Sequence, residues 1–328
     1  TGYASVPGTD ALRQTVANRV QERTGVPTGP ENVLITPGGQ AALFAAHMVA
    51  CDAGDTALYL DPFYATYPGT LRGVGAIPKA IETRAEDAFQ PRAGDIDACA
   101  AGANSLLINT PNNPTGTVYS RETLEGIADV CKAHDLWLIS DEVYDTQVWE
   151  GEHISPRALP DMAQRTLVVG SMSKSHAMTG SRCGWVVGPA EVIESLINLA
   201  THTTYGVAGF IQDASDFALN QGPAFEEDIA APFRRRRALG QEILEHQSTV
   251  GLIPAQGAMY MMLDIRATGM SGEAFAYALL EAHHIAVMPG ESFGAAAAGH
   301  IRVAMTIEDG AFVQALETLC EFAGTLIV

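Results

Sequence analysis

Short apolar runs alternate with segments of helical periodicity through the first two thirds of the chain, and this alternation strongly constrains the fold. The runs predict strands at Val33–Thr36, Thr56–Leu60, Ile77–Ile81, Ser105–Asn109, Trp137–Ser140, Thr166–Ser171 and Gly184–Val187. Helical patterns lie between several of these runs, notably at Arg121–Ala133 and Glu191–Thr201. Strands that are apolar on both faces and separated by helices are typical of a parallel sheet covered by helices. We therefore expect an α/β fold.

The pattern changes near residue 225, where a long helical stretch covers Phe225–Glu245. It includes the run Arg234–Arg237, which we interpret as a solvated helix face. The rest of the chain mixes helices with short predicted strands at Gly257–Ile265, Ile285–Met288 and Ile301–Met305. Because a length of 328 residues allows two domains, we predict a large domain at residues 1–225 and a smaller one at residues 226–328.

The charge balance argues against several classes of partner. The chain has 19 Lys and Arg against 38 Asp and Glu, a formal net charge of −19, which repels nucleic-acid phosphates and anionic lipid. No apolar stretch approaches the length of about 18 residues that a membrane helix needs. The five cysteines are scattered without metal-ligand spacing, which is typical of unpaired thiols in a reducing compartment. We expect a cytoplasmic protein with no metal, no nucleic acid and no membrane anchor.

Polar residues follow several of the predicted strands at the point where each strand ends. Gly38-Gly39-Gln40 follows the first strand and opens a helix, so its backbone amides form an anion site. The other polar residues of interest follow later strands: Asn113, Asp141, Tyr144, Ser171, Lys174 and Arg182. Because ligands of open α/β sheets bind outside the carboxyl ends of the strands, we expect these residues to converge on one site.

A phosphorylated pyridine aldehyde requires this combination of groups. Its phosphate needs amides, a hydroxyl and a guanidinium, and its phenolate needs neutral hydrogen-bond donors. Its ring nitrogen needs a carboxylate to stay protonated, and its aldehyde needs an amine for a Schiff base. The predicted site contains each of these groups.

The motifs Asn113-Pro-Thr-Gly116, Asp141-x-x-Tyr144 and Ser171-x-Ser-Lys174, followed by Arg182, resemble the class I/II aminotransferases. These are pyridoxal-phosphate enzymes of fold type I, and the resemblance extends from Tyr3 to the C-terminus. It implies a large domain with a mostly parallel, seven-stranded sheet, a smaller α+β C-terminal domain and pyridoxal 5′-phosphate as cofactor. It also implies transamination between an L-amino acid and a 2-oxo acid in two half-reactions.

The resemblance also implies a role for each matching residue. Lys174 would form the Schiff base and act as general base and acid, while Asp141 would pair with the pyridine nitrogen. Tyr144 and Asn113 would bind the phenolic oxygen. The residues that would hold the phosphate are Gly39, Gln40, Ser171 and Arg182.

Three further positions match the family outside these motifs. Tyr64 occupies the position that stacks on the cofactor ring. Arg302, together with Asn113, matches the site for the substrate α-carboxylate. Tyr3 matches a tyrosine that reaches the phosphate of a neighbouring subunit, which implies a homodimer with shared sites. Since family members have several dozen residues ahead of Tyr3, and the sequence opens without an initiator Met, we expect a further N-terminal segment that supplies an arm and part of a lid.

Each of these residues, taken alone, also has a purely structural interpretation. A lone lysine such as Lys174 is more often a surface charge, and Asp141 could cap a helix. Arg302 could belong to a surface ion pair, and Tyr64 could belong to the core. Glu142 is interpreted as structural, because adjacent strand residues point to opposite faces of a sheet. The combined set favours function over these alternatives.

Two positions bear on the amino donor. Gln40 stands where some aspartate-type relatives have a lysine that reaches a distal carboxylate, and the run Thr201–Gly206 lacks the arginine that others use. Burying an unpaired carboxylate is costly, so we expect a neutral or basic donor rather than a strictly dicarboxylic one. The stretches Ala133–Tyr144, Lys174–Gly180 and Gly299–Arg302 also resemble bacterial arginine–pyruvate transaminases.

Two other classes of protein remain open at this point. The same scaffold and cofactor residues serve β-lyases, and some transcription regulators carry an aminotransferase-like domain that senses the cofactor. A regulator requires a basic DNA-binding segment, which the net charge of −19 opposes.

Overall fold

Two sheets organise the protein, whose computed structural model describes residues 2–327. Within that range the larger sheet has seven strands, β1 (Val33–Thr36), β2 (Thr56–Asp61), β3 (Ile77–Glu82), β4 (Ala103–Asn109), β5 (Trp137–Asp141), β6 (Thr166–Ser171) and β7 (Gly184–Val187). Their order across the sheet is β1, β7, β6, β5, β4, β2, β3. Strands β2 to β6 pair in parallel, and β7 runs antiparallel to both β6 and β1. The predicted mostly parallel sheet is confirmed.

The α-helices of the described residues are, in chain order, α1 (Asp10–Thr24), α2 (Gly39–Ala50), α3 (Tyr67–Gly73), α4 (Ala93–Ala100), α5 (Arg121–Ala133), α6 (Met172–Ser175), α7 (Ala190–His202), α8 (Gly209–Leu219), α9 (Pro223–Glu245), α10 (Gly272–His283) and α11 (Asp309–Thr325). Between residues 2 and 327, none of them combines the length and the hydropathy needed to cross a bilayer.

Alternate residues of the central strands supply two separate cores, one on each face of the large sheet. Leu106 and Leu138 pack with α4 and α5, whereas Leu107 and Ile139 pack on the other face with α2 and α7. Because side chains of a strand alternate between faces, a strand that is covered on both faces must be apolar at nearly every position. This is the physical origin of the continuous apolar runs in the sequence.

A smaller antiparallel sheet follows, with the order β10, β11, β9, β8. Its strands are β8 (Gly251–Leu252), β9 (Tyr260–Asp264), β10 (Met288–Pro289) and β11 (His300–Ala304). Buried side chains between Leu244 and Ala323 form a core of its own for this sheet, α10 and α11. Helix α9 begins three residues ahead of the boundary predicted at 225/226, and the division into two domains stays a prediction. Its outer limits, residues 1 and 328, lie outside the described residues.

Local sequence signals fix the ends of several helices. Thr9, Ser120 and Ser271 each accept a hydrogen bond from the N–H three residues further on, ahead of α1, α5 and α10. Gly25, with φ of 70°, ends α1 in the left-handed conformation that glycine adopts without strain. The threonine and serine caps contribute about 1 kcal/mol each, because they satisfy N–H groups that the start of the helix leaves free.

Some predictions about the elements are wrong. No pattern in the sequence predicted α3, α4 and α8, which have 7, 8 and 11 residues. The predicted strand Ile285–Met288 shrinks to Met288–Pro289, since His284 turns the chain with φ of 58°. The run Arg234–Arg237 is not simply a solvated face, because Arg236 and Arg237 are buried and donate to the carbonyl oxygens of Met305 and Ala255.

Candidate active site

A pocket of about 450 Å³ lies between the carboxyl ends of β4, β5 and β6 and two residues of the small sheet, Tyr260 on β9 and Arg302 on β11. Parallel strands place the side chains that follow them at one edge of the sheet, so residues far apart in sequence meet there. The predicted site residues that line this pocket are Gly39, Gln40, Tyr64, Asn113, Asp141, Tyr144, Ser171, Lys174, Arg182 and Arg302.

Lys174 lies in the single turn of α6, directly after β6. Ser171 ends that strand and caps the turn, because its Oγ accepts from the N–H of Ser173 at 3.1 Å. Gln147 Nε2 donates to the carbonyl oxygen of Lys174 at 3.4 Å. The Lys174 ammonium lies 5.8 Å from the ring centroid of Tyr144, so the amine is presented inside the pocket.

Asp141 ends β5 and is 4 % exposed. Its Oδ2 accepts from the Tyr67 hydroxyl at 2.7 Å, and its Oδ1 accepts from the N–H of Val143 at 3.3 Å. Burial raises the pKa of Asp141 to about 6, because desolvation disfavours the charged form more than the two hydrogen bonds and the charge of Lys174 favour it. A carboxylate in this environment gains from any cationic partner that enters the pocket.

The start of α2 is shaped to accept an anion. Gly38 has φ of 84°, and a Cβ there would overlap the Arg182 guanidinium. Arg182 itself has φ of 54°, and its Nη1 donates to the carbonyl oxygen of Thr179 at 2.9 Å. The amides of Gly39 and Gln40 begin a helix, where N–H groups lack intrahelical partners and favour negative charge.

The Gln40 side chain is turned towards α3. Its Nε2 donates to Thr70 Oγ1 at 2.7 Å, and its Oε1 accepts from Thr66 Oγ1 at 3.0 Å. These two bonds use the amide and leave the backbone N–H of Gln40 for the anion site. Gln40 therefore contributes a neutral side chain to this wall of the pocket.

Arg302 projects from β11 into the opposite wall. Its Nη1 donates to Asn113 Oδ1 at 2.8 Å, while its buried Nε has no hydrogen-bond partner among the described residues. Its Cζ lies 4.3 Å from the ring centroid of Tyr260 and 4.6 Å from that of Phe293. Burial lowers the pKa of Arg302, and a carboxylate ligand would restore the lost solvation of this guanidinium.

Tyr144 and Asn113 meet in the centre of the site. Asn113 Nδ2 donates to Tyr144 Oη at 3.5 Å, and the Asn113 backbone N–H donates to Asn109 Oδ1 at 2.8 Å. Burial raises the pKa of Tyr144 well above its ordinary value, which keeps the hydroxyl protonated. Tyr64 lies at the pocket edge, and its ring contacts Tyr67 edge-on at 5.7 Å between centroids.

Tyr3 is the one predicted site residue that lies away from the pocket of its own chain. It is 90 % exposed, and its ring contacts that of Tyr205 edge-on at 5.3 Å. Its contact with a second subunit stays a prediction. Glu142 also points away from this pocket and accepts from Ser155 Oγ at 2.7 Å, in agreement with its structural interpretation.

Several residues at the site were not predicted from the sequence, namely Asn109, Tyr67, Tyr260 and the neighbouring Phe293. Tyr67 lies three residues after Tyr64 in α3, a helix that the sequence did not reveal. Tyr260 begins an apolar strand, where a tyrosine is ordinary core material. Asn109 alone carried a usable signal, since it is the polar residue that ends β4.

Residues 1–319 match the family described as aminotransferase class I and II. The chain belongs to this family of aminotransferases. Arginine–pyruvate transaminase AruH of Pseudomonas aeruginosa is 42 % identical over 308 residues, which cover 94 % of this chain and 78 % of AruH. The aspartate/prephenate aminotransferase of Thermus thermophilus is 35 % identical over 331 residues, which cover 99 % of this chain and 84 % of that enzyme.

Solved structures of aminotransferases show the same architecture. Aspartate aminotransferase of Thermus thermophilus with maleate has a TM-score of 0.92 at 34 % identity, covering 98 % of this chain and 84 % of that chain. The aromatic aminotransferase of Pyrococcus horikoshii has a TM-score of 0.95 at 29 % identity, covering 100 % and 89 %. The expectations of fold type I, of a transaminase and of amino-acid and 2-oxo-acid substrates are confirmed.

Members of this family use pyridoxal 5′-phosphate, and the residues of the pocket fit that cofactor. The close approach of Arg182 to Gly38, which a Cβ would prevent, leaves an anion cradle suited to a phosphate. The buried carboxyl of Asp141 suits a pyridinium, and the unpaired Nε of Arg302 suits a substrate carboxylate. The amine of Lys174 belongs to a residue that lines the same pocket as these groups.

Proposed function

We propose that this aminotransferase takes the amino group from an L-amino acid with a neutral or basic side chain and passes it to a 2-oxo acid. One observation carries the proposal. A single pocket contains the amine of Lys174, the buried carboxyl of Asp141 and the Arg302 guanidinium with its unpaired Nε. These are the groups that amino transfer needs at the carbonyl, the ring and the substrate carboxylate.

Pyridoxal 5′-phosphate, when bound, supplies an electrophilic carbonyl carbon and a ring that withdraws electrons. Asp141 would keep a proton on the ring nitrogen, and Tyr144 and Asn113 would donate to the phenolic oxygen. Tyr64 would cover the ring at the pocket edge. The phosphate would be held by Gly39, Gln40, Ser171 and Arg182.

Lys174 would move the reacting proton. Its amine, 5.8 Å from the Tyr144 ring centroid, would take the proton from the substrate Cα and return it as general acid. Arg302 would hold the substrate α-carboxylate, because Asn113 and the rings of Tyr260 and Phe293 fix the plane of its guanidinium. A fixed carboxylate orients the Cα proton towards the amine.

The charge of the pocket lining supports a neutral or basic donor. Among the residues that line it, the cations are Lys174, Arg182 and Arg302. They would move the reacting proton, hold the phosphate and hold the substrate α-carboxylate, so none remains for a second carboxylate. Gln40, held by two threonines, presents a neutral surface where a distal carboxylate would need a cation. AruH, which is 42 % identical, is named for a basic donor, whereas the Thermus relatives are named for aspartate.

A homodimer with shared sites is part of the proposal. A groove of about 520 Å³ between α2 and α7 has a mainly apolar lining that includes the partly exposed Phe44. Gln40 lines both this groove and the active pocket, so a second copy in the groove would reach the pocket edge. The free thiols of Cys51, Cys131 and Cys183 support the expected cytoplasmic location.

The test is a panel of amino donors with pyruvate or 2-oxoglutarate as acceptor, run with purified protein loaded with pyridoxal 5′-phosphate. We expect neutral and basic donors to exceed aspartate and glutamate in kcat/KM. Lys174→Ala should lose the visible absorbance band and reduce transfer by at least about 10⁴-fold, since the general acid–base group is removed.

Lys132→Ala on the surface of α5 is the matched control and should leave both readouts unchanged. Full transfer by Lys174→Ala would refute the assignment of the amine. Aspartate exceeding every other donor by about tenfold would refute the proposed donor class. Ammonia and pyruvate released from a cysteine conjugate, without transfer, would indicate a β-lyase.

A further inference from the structure

Tyr260 joins the two halves of the active pocket, although no motif marks it. It begins β9 in the small sheet and is 8 % exposed. Its Oη lies 3.2 Å from Tyr144 Oη, and its ring centroid lies 4.3 Å from Arg302 Cζ. One side chain therefore contacts both the hydroxyl of Tyr144 and the guanidinium of Arg302.

These contacts are part of a closed ring of four side chains. Tyr144 Oη accepts from Asn113 Nδ2 at 3.5 Å, and Asn113 Oδ1 accepts from Arg302 Nη1 at 2.8 Å. Tyr260 completes the ring between Arg302 and Tyr144. Tyr144 and Asn113 belong to loops of the large sheet, whereas Tyr260 and Arg302 belong to paired strands of the small sheet.

We propose that Tyr260 is a positioning residue that aligns the hydroxyl of Tyr144 and the guanidinium of Arg302 with each other. The inference rests on the proposed function and adds to it a residue that touches neither reacting atom. It goes beyond the general roles of Tyr144 and Arg302, because it states how one side chain sets the orientation of both.

The chemistry of the Tyr144 hydroxyl predicts how Tyr260 changes its strength as a hydrogen-bond donor. Tyr144 Oη has two acceptor positions and one proton. When Asn113 Nδ2 and Tyr260 Oη both donate to it, its own proton remains available to a group inside the pocket. Donation by Tyr260 also polarises the Tyr144 O–H bond and strengthens it as a donor. The other titratable groups around Tyr144 are Lys174, Asp141, Tyr67 and Arg302.

The aromatic ring of Tyr260 has a separate effect on Arg302. A guanidinium stacked on an aromatic face is held in one plane and is favoured by the electron density of the ring. Phe293 contacts the same guanidinium at 4.6 Å, so the two rings restrict its rotation. Removing the hydroxyl and removing the ring of Tyr260 should therefore produce different results.

The test compares Tyr260→Phe and Tyr260→Leu with the wild-type holoenzyme. The first readout is the pH midpoint of the absorbance band of the bound cofactor without substrate. The second is the dissociation constant of propionate, a carboxylate without an amino group. The third is the separation of effects on kcat and KM.

Tyr260→Phe should raise the pH midpoint by about half a unit to one unit, the size of one net hydrogen bond, because weaker donation stabilises the deprotonated phenolic oxygen less. It should change carboxylate binding less than about threefold, because the ring remains. Tyr260→Leu should also weaken carboxylate binding and raise KM by about 5–30-fold, the range of a lost cation–π contact. Tyr144→Phe should shift the midpoint further, and adding Tyr260→Phe to it should produce no additional shift.

Tyr277→Phe on the exposed face of α10 is the matched control and should change none of these readouts. An unshifted midpoint in Tyr260→Phe, or full additivity with Tyr144→Phe, would overturn the inference. Unaltered carboxylate binding in Tyr260→Leu would overturn the role of the ring. A wild-type protein without the absorbance band would instead overturn the proposed function itself.

Discussion

Asp141 shows at the scale of one residue how function and stability oppose each other. Its carboxyl is 4 % exposed, and burial raises its pKa to about 6 from an ordinary value of 3.8. The folded protein therefore binds this proton more tightly than the unfolded chain does. As pH rises from about 4 to above 6, the folded state increasingly bears the cost of a buried charge.

Asp141→Asn should consequently stabilise the cofactor-free protein at pH 7 while abolishing transfer. The expected gain is about 2–3 kcal/mol above pH 6, and it should disappear below about pH 4, where the wild-type carboxyl is protonated. Denaturant unfolding of cofactor-free protein across this pH range measures the effect. Asp213→Asn on the exposed face of α8 is the control and should show no such pH dependence. Equal stability of Asp141→Asn and wild type at pH 7 would contradict the argument.

Among the elements, the end of β2 is hydrogen-bonded to the segment between β10 and β11. Asp61, which ends β2, accepts from the N–H groups of Ala295 and Ala296 at 2.9 and 3.3 Å. Gly294, with φ of 121°, permits this approach, because a Cβ there would overlap the Asp61 carboxylate. Phe293, which packs on Arg302, directly precedes this glycine. These contacts therefore connect the end of β2 with Arg302.

Gly294→Ala should lower both stability and substrate affinity. We expect a loss of about 1–3 kcal/mol, because the positive φ is strained for alanine and the Asp61 contact is displaced. KM for the amino donor should rise with it, since Phe293 would shift from Arg302. Thermal unfolding and steady-state kinetics measure the two effects.

Gly310→Ala, where nothing lies within 4 Å of the added Cβ, is the control for this substitution. It lies in α11 and should change stability by less than about 1 kcal/mol, in the stabilising direction. A Gly294→Ala variant as stable as Gly310→Ala, with wild-type KM, would show that the Asp61 contact is unimportant.

The proposed homodimer would use the groove between α2 and α7. Phe44 and Met48 on α2 are 38 % and 39 % exposed, one helical turn apart on the same face. Exposed apolar surface of this kind, next to an active pocket, is typical of an interface between protein chains. Tyr205, which is 53 % exposed at the end of the α7 region, adds to it.

Phe44→Glu should therefore shift a dimer towards monomer, because an unpaired carboxylate would be buried in the interface. Sedimentation velocity over a range of protein concentrations measures the shift, and transfer activity should fall in parallel if the sites are shared. Tyr277→Glu on α10, which is 60 % exposed in the wild type, is the control and should remain dimeric. A wild-type protein that sediments as a monomer at all concentrations would contradict this proposal.

The sequence was sufficient to predict the seven strands of the large sheet, several of the helices between them and most of the predicted residues that line the pocket, but not the order of the strands across the sheet. Asp141, Ser171 and Lys174 could be identified because they end or follow parallel strands, whose carboxyl ends meet at one edge. Their position along the chain thus fixed their position in space. Gly38 and Gly39 indicated the anion site because they open a helix, whereas the role of Arg182 was implied by the family resemblance. Only the structure shows how closely Arg182 approaches Gly38.

Tertiary structure alone decided the contacts between elements that are distant in the chain. Tyr67 binds Asp141 across 74 residues, and Tyr260 binds Tyr144 across 116. Both tyrosines resemble ordinary core residues in the sequence, since their hydroxyl partners depend on how α3 and the small sheet pack. The same packing buried Arg236 and Arg237, which the sequence pattern had indicated to be surface charges. Local pattern sets which residues reach a strand end, whereas packing between elements sets which side chains they meet there.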